Sequence, residues 1–329
     1  MEKWQSLFKH NPLPQLLSLE NQAIVFFAKR DLEEERSVSV EALWELPSVA
    51  KMVDGQQSDG SWKYRGGKPN IRSQQNYNQL ETYRILGELV EKYGFNNNHP
   101  TIRRAADFLF KFQTREGDFR GIYGNQYSPN YTAAILELLI KAGYENTAHI
   151  EKGFRWLLSM RQNDGGWAIP SRTKNLKITV ALLEAETVQP DLTKPFSHLV
   201  TGVVLRALAA HGKFRSSNEA KTAGKLLASR FFKRDVYPDR AMVDFWTKFS
   251  YPFWFTDLLS SLDSQSLLEF KMDDPQIKTA IEWFITRQHE SGLWKVSMLR
   301  GKEKDLKLWI CLAICRVIKR FCANEDSER

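Results

Sequence analysis

A short segment that ends in glycine, one further residue and an aromatic side chain recurs along the chain, and it limits the possible folds more than any other feature. In each copy a Gln or Arg lies four positions before the glycine, and the aromatic lies two positions after it. The four aromatics are Trp62, Phe119, Trp167 and Trp294. The gap before the last copy is about two periods long, so we expect a degenerate copy over residues 230–240, where Asp235 and Tyr237 lie.

Helical patterns flank each of these segments. An amphipathic run precedes every copy, as at residues 100–113 and 275–288, and a more apolar run follows, as at residues 131–142 and 198–211. Helices that are apolar all round belong inside a fold. Because strand patterns are nearly absent, the sequence predicts an all-α fold. We expect an α/α toroid of about five to six helical hairpins, with inner and outer helical layers and a central cavity.

The domain boundaries follow from this alternation. We expect residues 1–36 to form an N-terminal helical lead-in packed on the toroid, residues 37–322 to form the toroid, and residues 323–329 to form a disordered tail. The first sixteen residues lack an apolar core, and the longest early apolar run, residues 23–28, is too short to span a membrane. Three cysteines on one helical stretch fit a reducing compartment, so a cytoplasmic location is expected.

The positive charge does not indicate a nucleic-acid partner. The formal net charge is +8, but Lys and Arg alternate with Asp and Glu along the chain. The nearest approach to a basic cluster is Arg230, Lys233 and Arg234. Since a nucleic-acid surface needs a concentrated basic tract, the pattern favours dispersed, solvated charge.

The repeated segment resembles the QW repeat of squalene–hopene and oxidosqualene cyclases. Trp156-Leu157 before Arg161, and Trp283-Phe284 before Gln288, match the first half of that motif. The resemblance covers about residues 40–320 and implies the α/α toroid of triterpene cyclases, class II diterpene cyclases and protein prenyltransferase β subunits. It also implies a hydrophobic isoprenoid-like or lipid-like ligand. The turn residues themselves are expected to be structural, because a repeat places them in every unit whereas catalysis needs one site.

The chain departs from the reactive motifs of these families. It lacks the Asp-x-Asp-Asp with which class II cyclases protonate their substrate, and the Asp-Asp-x-x-Asp that holds magnesium in class I cyclases. It also lacks the Asp-x-Cys pair and later His that hold zinc in prenyltransferases. No metal and no other cofactor are therefore expected.

An aromatic-rich segment before Asp257 is the first candidate site. Its predicted wall consists of Trp246, Phe249, Phe253 and Trp254. Such walls bind long apolar chains and stabilise carbocations. A carboxyl in an apolar cavity stays protonated, so Asp257 could act as a general acid toward an alkene, with Asp244 as the second candidate. The alternative is that Asp257 bonds neighbouring backbone or pairs with an arginine.

A tyrosine-rich loop and the inner helices supply the other candidates. The loop over residues 120–131 carries Tyr123, Tyr127 and Tyr131, which predicts a polar rim that binds a head group; a well-packed connecting loop is the alternative. Glu81, Glu137 and His198 fall on predicted inner helices and are further candidates for ligand contact, with a hydrogen-bonded interior histidine as the alternative for His198.

Two functions from different classes are consistent with the sequence. The first is a terpene cyclase-like enzyme that starts cyclisation by protonation without the usual acid motif. The second is a non-catalytic toroid that binds lipid or a partner protein, since a fold does not fix a function. A carbohydrate-active toroid is a third reading and would need paired carboxylates across a groove. Peripheral membrane contact and a second subunit are left open.

Overall fold

The protein is described here by a computed structural model that covers residues 2–66, 75–301 and 304–326. The chain divides into two compact units. We call Val40–His211 the central unit, and Met1–Ser39 together with Gly212–Arg329 the terminal unit. Across the described residues, every helix is too short or too polar to span a membrane.

The central unit is built from helices. After a 3-10 turn at Val40–Leu43, its α-helices are α4 (Pro47–Asp54), α5 (Tyr77–Tyr93), α6 (Pro100–Phe110), α7 (Pro129–Leu139), α8 (Ala148–Ser159), α9 (Pro170–Thr173), α10 (Ile178–Ala181) and α11 (His198–Ala210), and a π turn at Ile140–Tyr144 extends α7. Helix α7 packs against α5, α8 and α11, and α6 packs against α5. Nearly every residue of α7 and α11 is buried, whereas α6 and α8 bury one face. The predicted inner and outer layers are therefore present in this unit.

The terminal unit is also helical and contains one minimal sheet. Its α-helices are α1 (Lys3–Ser6), α2 (Leu13–Leu17), α3 (Gln22–Leu32), α12 (Gly212–Arg215), α13 (Asn218–Ala228), α14 (Leu258–Leu267), α15 (Pro275–Thr286) and α16 (Leu306–Asp326), with a 3-10 turn at Val243–Thr247. Strand β1 (Lys248–Phe249) pairs in parallel with β2 (Ser297–Met298), Lys248 opposite Ser297. Helix α16 packs on α1, α3 and α14, so the predicted lead-in groups with the C-terminal helices.

The C-terminal helix runs further than the sequence indicated. The disordered tail was expected to begin at residue 323, but α16 is helical through Asp326. Phe321 and Cys322 are buried at this end, and Lys271 Nζ donates to the Asn324 carbonyl at 3.2 Å. These contacts hold the last turn of the helix in place. Residues 327–329 lie outside the described part of the chain.

The recurring turns share one hydrogen-bond pattern. Gln56 Nε2 donates to the Gly60 carbonyl at 3.0 Å and to the Thr101 carbonyl, in the first turn of α6, at 2.9 Å. Gln113 Nε2 repeats this with Gly117 and with His149 in α8, at 2.9 and 2.8 Å. Each glutamine thus joins its own turn to the next outer helix, the structural role that the sequence predicted.

The glycine of the turn is required by the same contact. Gly117 has φ of +120°, and a Cβ there would lie 2.4 Å from the Lys152 carbonyl oxygen of α8. A side chain would therefore meet both backbone strain and backbone atoms. In the terminal unit, Gln288 Nε2 donates to the Gly292 and His10 carbonyls, both at 2.7 Å, so the last turn holds the N-terminal segment in the same way.

The aromatic residue of each turn bonds the inner helix that follows it. The backbone N–H of Trp62 donates to Thr82 Oγ1 at 3.0 Å, and that of Trp167 donates to Thr201 Oγ1 at 2.9 Å. Phe119 makes the same bond to Thr132 at 3.1 Å. The remaining copy pairs Trp294 with Cys311 Sγ at 3.4 Å. In each of these four copies, one inner-helix side chain therefore accepts a hydrogen bond from the turn.

Candidate functional site

Three tyrosines of the central unit pack edge to face in a row. The ring centroids of Tyr123 and Tyr131 are 5.1 Å apart, and those of Tyr131 and Tyr83 are 5.9 Å apart. Tyr83 lies on α5, Tyr131 on α7 and Tyr123 in the loop before α7. We call Tyr83, Tyr123 and Tyr131 the tyrosine cluster. Burial raises the pKa of Tyr83 well above its usual value, so its hydroxyl keeps its proton.

A tight hairpin turn positions Tyr123. The backbone groups of Gly121 and Gly124 bond each other in both directions, at 2.9 and 3.0 Å, which leaves Ile122 and Tyr123 at the tip. The turn is anchored at the start of α5, because Asn76 N–H donates to the Gly121 carbonyl at 2.8 Å. Gln75 Nε2 adds a bond to the Ile122 carbonyl at 2.7 Å. The loop is thereby fixed above the first turn of an inner helix.

A buried ion network lies beside the tyrosine cluster. Arg206 Nε of α11 and Glu137 Oε2 of α7 are 2.9 Å apart, and Lys141 Nζ lies 2.8 Å from Glu137 and 2.6 Å from Glu91 of α5. Burial alone would raise the pKa of Glu137, but Arg206 and Lys141 hold it below its usual value. Charges on Arg206, Glu137 and Glu91 also act on Tyr83. The network joins three inner helices with two cations against two anions.

The third predicted tyrosine lies in a different environment. Tyr127 donates to Glu116 Oε2 at 2.6 Å, and its ring packs on Trp156 with centroids 5.6 Å apart. The Arg120 guanidinium lies 4.4 Å from the ring centroid. Burial, followed by the bond to Glu116, raises the pKa of Tyr127. The structure thus brings Tyr123 and Tyr131 together, and places Tyr127 in a contact with another set of side chains.

The remaining part of the tyrosine-rich loop is a packed connection. Asn125 Nδ2 donates to the Ala185 carbonyl at 2.7 Å, and Gln126 Nε2 donates to the Glu186 carbonyl at 3.0 Å. The Gln126 carboxamide oxygen accepts the Val188 N–H at 2.9 Å. Residues 184–188 therefore cover this stretch, which matches the alternative of a well-packed loop.

Two further candidates stand on inner helices. Glu81 is half-buried and pairs with Arg84 of the same helix at 3.3 Å. His198 is buried in the first turn of α11, which Ser197 begins as N-cap. Their roles as ligand contacts stay predictions.

The predicted aromatic wall of the terminal unit is divided among separate packing contacts. Trp246 is buried against Phe231, with centroids 5.4 Å apart, and its indole donates to the Lys233 carbonyl at 2.8 Å. Trp62 makes the same kind of bond, from its indole to the Met52 carbonyl at the end of the preceding helix. Trp246 thus makes an indole bond of the kind that Trp62 makes, but it lies outside residues 230–240, where the degenerate copy was expected.

The other wall residues contact different neighbours. Phe249 is fully buried against Phe284, with centroids 5.7 Å apart, and Phe253 packs on Tyr251 at 5.6 Å. Trp254 is half-buried, and its backbone N–H donates to Ser250 Oγ at 3.2 Å. These partners account for the aromatic richness of the segment by packing.

The two candidate acids have structural partners. Asp257 is 2% exposed and is the N-cap of α14: its Oδ1 accepts the Ser260 N–H at 2.8 Å, while Ser260 Oγ accepts the Asp257 N–H at 3.0 Å. This reciprocal pair is a capping box, and it is the backbone bonding named above as the alternative. Asp244 is exposed and forms an ion pair with Lys248, so it is not a desolvated acid. Of the two candidate acids, Asp257 is the buried one.

The cysteines are structural. Cys311, Cys315 and Cys322 are buried on α16 and form no disulfide among the described residues. Burial raises the pKa of Cys311 to about 12, so the thiol stays protonated and unreactive. Among the residues that the structure describes, no group of three or more His, Cys, Asp or Glu side chains could hold a metal ion.

Sequence reasoning missed Tyr83 and Arg206 as members of this region. Both lie in runs that the sequence assigned to inner helices. A charged side chain within an otherwise apolar run was the available signal for Arg206, whereas the run that contains Tyr83 is rich in polar residues and gives no such signal. Their pairing across helices depends on side-chain contacts between α5, α7 and α11, which periodicity does not specify.

Comparison with known proteins places the chain in a family. Sporulenol synthase of Bacillus subtilis is 32% identical over 150 residues, which cover 41% of this chain and 23% of that protein. Squalene–hopene cyclase of Zymomonas mobilis is 28% identical over 79 residues, or 24% of this chain and 12% of that protein. The chain thus aligns with less than a quarter of either relative.

A solved structure shows the same fold. A polysaccharide lyase aligns with a TM-score of 0.50 and 14% identity, over 91% of this chain and 88% of that chain. At this identity the likeness concerns the fold alone. The squalene–hopene cyclase C-terminal domain family matches residues 78–175 and 132–307, which together make up more than half of the chain. The predicted all-α, α/α-toroid fold class is confirmed, and the chain belongs to the squalene–hopene cyclase C-terminal domain family of terpenoid cyclase-like proteins.

Proposed function

We propose that this protein binds a large, hydrophobic, isoprenoid-like molecule against the inner helices of the central unit. The observation that carries the proposal is the tyrosine cluster, in which the ring of Tyr131 on α7 contacts both Tyr83 of α5 and Tyr123 of the loop before α7. Aromatic faces bind apolar chains and stabilise developing positive charge. Family membership supports an isoprenoid as the ligand class.

We further propose proton-initiated cyclisation as the reaction, with Asp257 as the candidate acid. Its burial supports this role, because a desolvated carboxyl can deliver a proton to an alkene. For transfer, the carboxyl would have to carry a proton and turn away from the Ser260 N–H that it now accepts. Losing this hydrogen bond costs free energy, so the acid role of Asp257 requires a direct test.

A non-catalytic, lipid-binding protein is the second candidate function. The observation that favours it is the structural use of both acids: Asp257 caps α14, and Asp244 is exposed beside Lys248. Such a protein would keep the ligand surface and lack the chemistry. Cytoplasmic location, peripheral membrane contact and a second subunit stay predictions.

The Asp257→Asn variant separates the two functions. Asparagine caps helices about as well as aspartate, so the variant should fold, but it cannot donate an acid proton. The purified protein is first extracted for bound isoprenoids by mass spectrometry, and then incubated with C15 to C30 polyprenyl substrates. A cyclase gives a product that Asp257→Asn abolishes and that Asp244→Asn, the matched control, leaves unchanged.

Two other outcomes decide against cyclisation. Recovery of an isoprenoid with no product from any substrate establishes the non-catalytic function. Product formation that persists in Asp257→Asn removes Asp257 as the acid. If the protein neither retains nor binds any isoprenoid, the proposed ligand class is wrong.

A further inference from the structure

The side-chain amide of a buried glutamine next to the tyrosine cluster has no hydrogen-bond partner among the described residues. Gln79, in the first turn of α5, is 0% exposed. Among the described residues, neither its amide nitrogen nor its amide oxygen has a hydrogen-bond partner. A buried amide without a partner is costly, and folded proteins rarely leave both of its atoms unused.

Other buried glutamines of the described chain use their amides. Gln126 Nε2 donates to the Glu186 carbonyl at 3.0 Å, and Gln162 Nε2 donates to two carbonyls at 2.9 Å. Gln265 is also 0% exposed, and its Nε2 donates to the Gly224 carbonyl at 3.0 Å. Gln79 is therefore an exception to the way in which this protein satisfies buried amides.

The position of Gln79 links it to the tyrosine cluster. A Cβ at Gly121 would lie 2.1 Å from Gln79 Oε1, so the carboxamide is seated directly beneath the hairpin turn that carries Tyr123. Gly121 has φ of +114° and no side chain, which leaves room for that close approach. Tyr83 follows four residues later on α5 and so lies one turn along the same helix face. The unused amide and the aromatic rings thus share one region.

The charges of this region are compensated. Lys141 and Arg206 face Glu91 and Glu137, which leaves no excess of positive charge in the network beside Tyr83. A diphosphate or another anionic group would need uncompensated cations. A carboxamide both donates and accepts, and therefore complements a neutral group that does the same, such as a hydroxyl.

We propose that Gln79 hydrogen-bonds the neutral hydroxyl head group of an isoprenoid-like ligand whose chain packs against the tyrosine cluster. This inference rests on the proposed function and specifies the polar end of its ligand. The amide has no partner among the described residues because the ligand supplies one. Gln79 is thus a specificity-determining residue. Its unbonded amide lowers the stability of the ligand-free protein.

The test compares three variants, each with two measurements. Gln79→Met preserves the length of the side chain and removes the amide; Gln265→Met is the matched control at an equally buried glutamine that does make a bond. Binding of geranylgeraniol, of the corresponding C20 hydrocarbon and of geranylgeranyl diphosphate is measured by tryptophan fluorescence. Thermal unfolding of the ligand-free proteins is measured in parallel, and Gln79→Leu repeats both measurements with a different apolar shape.

We expect Gln79→Met to bind the alcohol more weakly and to be more stable than wild-type protein without ligand. Wild-type protein should bind the alcohol more tightly than the hydrocarbon or the diphosphate, and Gln79→Met should weaken binding of the alcohol about tenfold, the effect of one lost hydrogen bond. Its binding of the hydrocarbon should not change. The unfolding midpoint should rise for Gln79→Met and fall for Gln265→Met.

Each contrary outcome has a defined meaning. Equal binding of alcohol and hydrocarbon, or an alcohol affinity that Gln79→Met and Gln79→Leu leave intact, overturns the head-group assignment while the proposed function stands. A lower unfolding midpoint for both Gln79 variants shows that the amide has a structural partner, and also overturns it. If wild-type protein binds none of the three probes, the proposed function itself fails.

Discussion

Removing Arg206 tests whether the buried ion network holds the inner helices together. Arg206 and Glu137 are 3% and 4% exposed, and their charged groups are 2.9 Å apart. Breaking a buried pair costs about 3–5 kcal/mol, because a charge is left without its partner in a poorly solvated site. Since Lys141 remains 2.8 Å from Glu137, we expect Arg206→Met to cost about 3 kcal/mol, the lower end of that range.

Differential scanning fluorimetry measures the effect. For a unit of this size, about 3 kcal/mol corresponds to a fall of roughly 6–12 °C in the unfolding midpoint. Arg84→Met is the matched control, because Arg84 is largely exposed and its pair with Glu81 should contribute less than about 0.5 kcal/mol. Adding Glu137→Leu to Arg206→Met should recover most of the loss. If Arg206→Met lowers the midpoint no more than Arg84→Met does, the buried pair contributes no net stability and the reasoning is wrong.

Two further predictions concern the repeated turns and a helix start. Gly117→Ala should lower the free energy of unfolding by at least about 2 kcal/mol, because the new Cβ would sit on a backbone with positive φ and clash with the Lys152 carbonyl. Urea denaturation measures the change, and a loss below about 0.5 kcal/mol would contradict the prediction. Burial, followed by Arg104 and Arg103, lowers the pKa of His99, so protonation favours the unfolded chain. The free energy of unfolding should therefore fall as the pH drops below about 6.5. It should fall less steeply in His99→Asn, which keeps the N-cap of α6. Equal dependence on pH in the two proteins would show that His99 is not the group responsible.

The turns could be predicted from sequence because their interactions are local. The Gln56 carboxamide reaches the Gly60 carbonyl four residues away, and a glycine followed by an aromatic is required at fixed spacing. Repetition of that spacing also revealed the alternation of outer and inner helices. Spacing alone does not locate the expected degenerate copy: Trp246 bonds a carbonyl thirteen residues before it, whereas Trp62 bonds one ten residues before it.

The candidate site could be predicted only in part, because composition does not determine which side chains touch. The aromatic segment before Asp257 suggested one wall, but its residues pack against different partners, and Asp257 itself begins a helix. An aspartate three residues before a serine at a helix start is also the pattern of a cap. Tyr123, Tyr127 and Tyr131 were expected to converge through their shared loop, but Tyr127 packs on Trp156 instead. Tyr83, which contacts Tyr131, comes from α5, about forty residues earlier than that loop.

The repeat nevertheless contains a signal that points to the tyrosine cluster. In each repeat one inner-helix residue accepts the backbone N–H of the turn aromatic, and in the first two repeats it is Thr82 or Thr132. A residue next to it in sequence is turned by about 100° around the helix, and so faces away from the turn. Tyr83 follows Thr82 and Tyr131 precedes Thr132, which brings both rings onto adjoining faces of α5 and α7. The corresponding neighbours in the other two repeats are Val200, Gly202, Ile310 and Leu312. Because the repeat requires an acceptor at this position, a threonine in three copies and Cys311 in the last, and leaves its neighbours free to vary, the two tyrosines mark inner-helix positions at which this chain departs from its own structural pattern. That departure supports the ligand contact proposed for the tyrosine cluster.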